Sequence, residues 1–573
     1  MTTNFTRRDF LIKSSAAVAL GSSLAACGSD HEPATFAYGV ASGDPLADRV
    51  ILWTHARRPD TNDDVNLMWQ VASDANFVTI VASGRASATA ATGYTVKVDA
   101  VGLSAGSRYF FRFLADVGGN SAIGSTRTLP ATGEASVKFA VFSCALYSEG
   151  YFNAYDDATV SGADYALHLG DYIYEYGAGV NQFGNSDIPG NRVTKPATDI
   201  VSLDDYRTRY ALYRSDPDLQ AAHAAMPFIT VWDDHEFANN ACIGGAENHD
   251  PATQGDWAVR RANAARAYHE WMPIRTQNPA DLLTIYRSFD FGSLLSLHML
   301  DTRIEGRDRQ YDNFGDADGG YTRYGTGLAT GSDATRHMIS PAQQSWLAEA
   351  SARSTATWQV LGNQDIMARM WIAASVLQTQ STNPAGAPAA VSAYLGAKAT
   401  AAAGAPLSPA QAALLDPTVN PLLPYNLDAW DGYPLQREAI LRTFQAQGKK
   451  LVTLSGDSHN GWFSHLTTLD GTRVGVEFAG TSVTSPGFES VGLGGLASSL
   501  DGSIVTGTQG SGLGLINDLA YADSSRRGYL LLTVTADAIT GDYVYVDTVK
   551  STTYTAAVGK TIRVTAAGAI DYA

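Results

Sequence analysis

The chain has 573 residues, 45% of them apolar and 17% charged, a balance that excludes disorder over most of its length and leaves room for more than one folded unit. Its formal net charge is −17. Such an acidic chain has no basic face for a phosphate backbone, so no stable nucleic-acid binding is expected, and any phosphate it handles needs positive charge from elsewhere, most simply from metal ions.

The N-terminus reads as an address. Thr6-Arg7-Arg8-Asp9-Phe10-Leu11 precedes an apolar run from Ala16 to Ala26. Paired arginines, Phe-Leu and an apolar stretch too short to span a bilayer form a twin-arginine export signal. The twin-arginine export machinery is therefore an expected partner. The expected location is the periplasm, or the membrane surface facing it or the exterior. Leu24-Ala25-Ala26-Cys27 reads as a lipobox, with acylated Cys27 as an anchor, or as the neighbourhood of an ordinary cleavage site. Residues 1–27 are set apart from the fold.

Residues 36–130 carry short runs of alternating apolar and polar residues, such as Val50–Thr54, Val65–Val71 and Tyr94–Val98. Turn-rich links such as Ser42-Gly43-Asp44-Pro45 separate them. The pattern predicts a small all-β, fibronectin-like sandwich without a catalytic cluster. From Val137 strands alternate with helices, which predicts an α/β domain over 137–573. Helices are expected over Asp256–Trp271, from Ser340-Pro341 onward, and over Leu435–Gln447 closed by Gly448. The Ala/Pro-rich stretch near 371–424 predicts a surface insertion, and the tail returns to strands at Gly528–Val534 and Asp542–Val546.

Within that second unit, six apolar strands run into polar motifs. Val137–Phe142 leads to Ser143-Cys144, and Tyr165–Leu169 to Gly170-Asp171-Tyr172-Ile173-Tyr174. Phe228–Trp232 leads to Asp233-Asp234-His235-Glu236, and Leu294–Leu300 to Asp301-Thr302-Arg303. Trp358–Leu361 leads to Gly362-Asn363-Gln364, and Leu451–Leu454 to Ser455-Gly456-Asp457-Ser458-His459. In an open α/β sheet ligands bind beyond the carboxyl ends of strands, so these motifs are expected to meet in one crevice. Thiolate, phenolate, imidazole and carboxylates together describe a cluster containing a hard trivalent or transition ion. Cys144 has a competing reading. In an oxidising compartment it would pair with Cys242 as a disulfide. Arg303 is either a clamp for a phosphoryl oxygen or half of an ion pair with Asp301 or another carboxylate.

The order Gly-Asp, His-Glu, Gly-Asn, Gly-Asp-x-His resembles the metallophosphoesterase superfamily. Gly170-Asp171-x-x-Tyr174 also resembles the Gly-Asp-x-x-Tyr of purple acid phosphatases, whose Gly-His-x-His is missing here. The full set is similar to the PhoD-like alkaline phosphatases and phosphodiesterases. It includes Leu300–Arg303, Asp428–Tyr433 and the front region Phe36–Pro45. The usual Asp-x-His first motif is absent, and Cys144 stands near its place. The resemblance implies an α/β catalytic domain of metallophosphoesterase type, a β-sandwich flanked by helices. It implies one ferric iron (Fe3+) with calcium ions (Ca2+), or other divalent ions, and a coloured iron–tyrosinate centre. Cys144, Asp171 and Tyr174 match the iron side, with Asp171 as bridge. Asp234, Asn363, Asp457 and His459 are the further ligands. His235, His459 and Arg303 are the candidate catalytic residues. The implied reaction is attack on the phosphorus of a phosphate mono- or diester by metal-generated hydroxide or oxide. A phosphodiesterase for larger substrates and a non-catalytic surface protein are the alternatives. No Gly-x-Ser-x-Gly nucleophile is present.

Overall fold

A computed structural model describes residues 32–178, 192–311, 320–491, 493–503 and 513–572. The expected export signal and Cys27 lie outside the described residues.

The largest sheet has ten strands. The C-terminal strands Ile570–Tyr572, Ala556–Thr565, Ala538–Val546 and Arg527–Thr535 form one flank. The motif strands Ser136–Phe142, Tyr165–His168 and Phe228–Thr230 follow, parallel to one another. The N-terminal strands Val40–Gly43, Arg49–His55 and Thr95–Val101 complete the sheet. The other motif strands, Leu295–Met299, Trp358–Gly362 and Lys450–Ser455, are parallel neighbours in a seven-stranded sheet. The six motif strands are therefore split between two sheets, where the open-sheet rule expects one.

The two sheets share a core. Phe139, Leu167 and Ile229 from the first pack in one apolar cluster with Val360, Val452 and Phe478 from the second. The Phe139 and Phe291 rings meet edge-on with centroids 5.2 Å apart. Coverage on both faces explains why the motif strands read as nearly continuous apolar runs.

Residues 36–130 are β throughout, apart from the single 3-10 turn Ala90–Thr92. Ile80–Ala88, Val65–Ala72, Arg108–Ala115 and Gly124–Arg127 form a four-stranded sheet. Its alternating residues Leu67, Val71, Phe111 and Phe113 pack on Val40, Val50 and Leu52. The sequence reading takes Ser42–Pro45 as a link, whereas Ser42 and Gly43 end a strand that pairs Gly43 with Phe228. A Cβ at Gly43 would lie 2.4 Å from the Pro273 carbonyl oxygen and 2.5 Å from that of Phe228, so only glycine permits this join. Asp44 is buried beyond it, 2.6 Å from an Arg287 guanidinium nitrogen. One sheet of the N-terminal region is thus continuous with the sheet that carries the first three motif strands.

Helix Trp257–Trp271 is capped by Asp256, and Pro341–Arg353 by Ser340, whose hydroxyl accepts the Gln343 N–H at 3.0 Å. Residues 371–424 form a short strand pair, Trp371–Ala373 with Leu422–Pro424, that brackets three helices. Among the described residues no helix is long and apolar enough to cross a membrane.

Candidate metal centre

The motifs converge where the six strands end. Among the described residues eight non-glycine positions have positive φ, and four of them are Cys144 (60°), Asp171 (54°), Asp457 (55°) and His459 (61°). A side-chain-bearing residue pays roughly 1–2 kcal/mol for this conformation. Such strain persists where a tight turn must aim a side chain. Gly170, at φ +105°, lets two of these turns touch, since a Cβ there would lie 2.3 Å from Asp233 Cβ. The buried Glu236 carboxylate stitches them together. It accepts N–H groups of Asp171 (3.0 Å), Ile173 (3.2 Å) and Asp233 (2.7 Å).

Four groups of metal-ligating atoms result, each with its ligand atoms within 4.8 Å of one another. The first joins Cys144, Asp171 and His459. The Tyr174 hydroxyl stands beside it, 3.0 Å from Asp171 Oδ2, 3.2 Å from His459 Nε2 and 2.7 Å from Ser485 Oγ. The second joins Asp171, Asp234 and His235, so Asp171 faces both groups. The remaining two are Asp233, Asp234, Asp457 and Asp365, Asp428, Asp457. Cys144 and Cys242 are both free and buried, so the disulfide alternative does not form and the Cys144 thiol is left for a metal.

Asp171 Oδ1, Asp233 Oδ2 and Asp234 Oδ1 are buried without a hydrogen-bond partner. Orphaned carboxylate oxygens are costly unless a cation meets them. The donor set therefore fits metal ions. Burial, with Asp171 next, pushes the Cys144 thiol and the Tyr174 phenol well above their usual ranges. Burial also raises Asp457, against the pull of Arg303. Without cations burial disfavours the charged forms of these groups, and a bound cation favours them.

His235 is oriented by a neighbour that the motif pattern did not single out. Its Nδ1 lies 2.7 Å from Glu175 Oε2. Glu175 is buried and also accepts the Asn239 N–H at 2.7 Å and the Asn248 amide at 2.6 Å. His235 Nε2 is left for the Asp171–Asp234 side. Burial works to lower this imidazole, but Asp234 and Glu175 outweigh it and hold it well above its usual range. His459 Nδ1 is engaged by the Pro486 carbonyl at 2.7 Å, which turns its Nε2 toward Tyr174.

Two expected residues stand differently. Asn363 spends both ends of its amide on the protein: its oxygen accepts the Trp430 indole N–H at 2.9 Å and its nitrogen donates to the Asp365 carbonyl. Asp365, two residues on, supplies the carboxylate to the cluster instead. Arg303 is fully buried and takes the ion-pair alternative rather than a phosphoryl clamp. Its guanidinium meets Asp233 at 2.5 Å, Asp428 at 2.7 Å, and Asp365 and Asp457 at 2.9 Å. Asp301 is not the partner; its carboxylate accepts the backbone N–H groups of Arg303 and Ile304, both at 2.9 Å.

A cavity of about 730 Å³ opens onto Asp428 and Asp457. Its walls come from the segments Asn240–Glu247 and Arg307–Tyr311.

Comparison with known proteins agrees with this geometry. The family described as PhoD-like phosphatase matches residues 139–560, and the N-terminal domain of the same family matches residues 22–130. Alkaline phosphatase D of Bacillus subtilis (strain 168) is 34% identical over 473 residues, 79% of this chain and 70% of that protein. A solved structure described as "Structure of PhoD" aligns with a TM-score of 0.73 and 30% identity, over 96% of this chain and 93% of that one.

Proposed function

The chain belongs to the PhoD-like phosphatase family and is a phosphoric ester hydrolase, and from this premise we propose that its catalysis runs on ferric iron and calcium held at the strand ends. The orphaned oxygens of Asp171, Asp233 and Asp234 beside the Cys144–Asp171–His459 group carry this reading. In it the packed sheets are a metallophosphoesterase-type sandwich, with residues 36–130 as the N-terminal unit and 137–573 as the catalytic one.

When bound, the ions neutralise phosphoryl oxygens and activate water at neutral to alkaline pH. Cys144, Asp171, Tyr174 and His459 would hold the iron. His459, pinned at Nδ1 by the Pro486 carbonyl, is a ligand and not a proton carrier. Asp171, which faces both groups, would be shared with the calcium side, for which Asp234 and Asp457 supply carboxylates. Asn363 braces Asp365 and Trp430. His235, with Nδ1 held by Glu175, keeps a proton on Nε2 for the departing alkoxide. Arg303 gives four carboxylates one shared counter-charge, which helps them lie together.

The substrate is tested by comparing an aryl phosphomonoester with the matching diester, with and without calcium chelation. Chelator-sensitive release from the monoester alone makes this a scavenging phosphatase. Preference for the diester makes it a phosphodiesterase, which the size of the cavity favours. Turnover of neither, with metals bound, points to an unusual ester substrate or to a binding protein.

The same reading includes export by the twin-arginine route and anchoring through acylated Cys27. Cys27→Ser should move the protein from the membrane fraction to the soluble periplasmic fraction. Unchanged fractionation refutes the anchor.

A further inference from the structure

We propose that Arg309 reads a second anionic group, such as a second phosphate, on the leaving alcohol of the substrate. This rests on the hydrolase reading above and specifies the class of ester it takes.

The cavity is lined by four carboxylates and two guanidinium groups. Each carboxylate is committed inside the protein. Glu247 accepts the side-chain amides of Asn239 at 3.0 Å and Asn240 at 2.6 Å. Asp308 accepts the His337 N–H at 2.8 Å. Asp428 holds Arg303 and Arg307, and Asp457 holds Arg303. Arg307 is fully buried and spent on Asp428 and the Thr302 carbonyl. Arg309 is exposed, lines the cavity, and makes no ion pair among the described residues.

Its backbone, by contrast, is fixed. The Arg309 carbonyl accepts an Arg336 guanidinium N–H at 2.9 Å, and Arg336 lies over the Tyr311 ring, 3.6 Å from its centroid. The Asp308 N–H donates to the His337 carbonyl at 2.8 Å, and the Tyr433 hydroxyl donates to the Asp308 carbonyl at 2.6 Å. An uncommitted cation on a pinned segment is preorganised for an anion, because a guanidinium forks onto phosphate oxygens.

The position suits the far end of a substrate. Arg307 is fully buried at the acidic floor and Arg309, two residues on, is exposed, so the cavity lining runs from floor to rim along this segment. A reacting phosphoryl group at Asp428 and Asp457 leaves the rest of the 730 Å³ for the leaving alcohol, with Arg309 at its rim. The cavity is otherwise acidic, so a second anion there needs this one counter-charge.

The test measures kcat/KM of the metal-loaded enzyme on glucose 1-phosphate and glucose 1,6-bisphosphate, for wild type, Arg309→Gln and Arg309→Lys. The loss in Arg309→Gln should be about tenfold larger on the bisphosphate than on the monophosphate, as for a lost charge-assisted contact, with partial recovery in Arg309→Lys. Equal losses on both substrates, or none, overturn the proposal and leave the hydrolase reading intact. If wild type hydrolyses neither, the phosphomonoesterase reading fails while the phosphodiesterase reading stands. Calorimetric binding of the same two compounds to wild type and Arg309→Gln then decides Arg309 by the same ratio.

Discussion

Replacing Cys144 by Ser should bleach the protein and lower kcat/KM for an aryl phosphate by about a thousandfold. Several kcal/mol of charge stabilisation vanish when the Lewis acid is lost, and each 1.36 kcal/mol is a factor of ten. The reasoning is local. The Cys144 thiol is fully buried at a left-handed turn, within ligand distance of Asp171 and His459. Its burial makes deprotonation costly, and only a strongly charged ion repays that cost. A serine hydroxyl ionises far less readily than a thiol, so it would not replace the thiolate. The exchange is close in size, so folding should survive, with circular dichroism near wild type and melting near that of the iron-free wild type. Iron content, visible absorbance and turnover should fall together. A Cys144→Ser enzyme that keeps both its colour and its activity would refute the iron assignment.

The second large effect concerns Arg303. Arg303→Met leaves Asp233, Asp365, Asp428 and Asp457 buried without their shared counter-charge. Removing one partner of a buried ion pair costs about 3–5 kcal/mol, so the metal-free variant should melt far below wild type or fail to fold. Its pH dependence has a definite sign. Burial, despite Arg303, pushes Asp365 up to about 6, and Asp233 and Asp457 are raised well above their usual range. Groups with raised folded-state pKa values favour the fold when protonated and cost stability as pH rises through those values. Without Arg303 the values rise further. The gap in melting temperature between variant and wild type should therefore widen from pH 5 to pH 8. Arg303→Lys supplies a point charge that does not span four carboxylates, and should recover only part of the loss. A metal-free Arg303→Met protein that melts like wild type at pH 8 would show that the cluster does not need its guanidinium.

Much of this site was legible because its residues follow apolar strands in chain order. Cys144, Asp171, Tyr174, Asp234, Asp457 and His459 converge as their places after strands imply. What stayed hidden depends on side-chain contacts between segments distant in sequence. Arg303 and Asp233 are 70 positions apart, and Arg303 and Asp457 are 154 apart, so nothing local marks the guanidinium as a hub. Glu175 follows Tyr174 like any surface acid, and only the fold brings His235 to it. Asn363 looks like a ligand in the motif, yet Trp430 and the Asp365 carbonyl occupy both ends of its amide. The N-terminal alternation predicts strands correctly, but the Gly43–Phe228 pairing that joins them to the catalytic sheet is a long-range contact that alternation does not encode.

The central claim is that hydrolysis depends on metals held by this residue cluster. It is tested most directly by stripping calcium from the purified, metal-analysed protein, measuring aryl phosphate hydrolysis, and adding calcium back. The account predicts loss of turnover on chelation, recovery on calcium addition, and visible absorbance retained with the iron. Hydrolysis that persists undiminished in the calcium-stripped protein would contradict it.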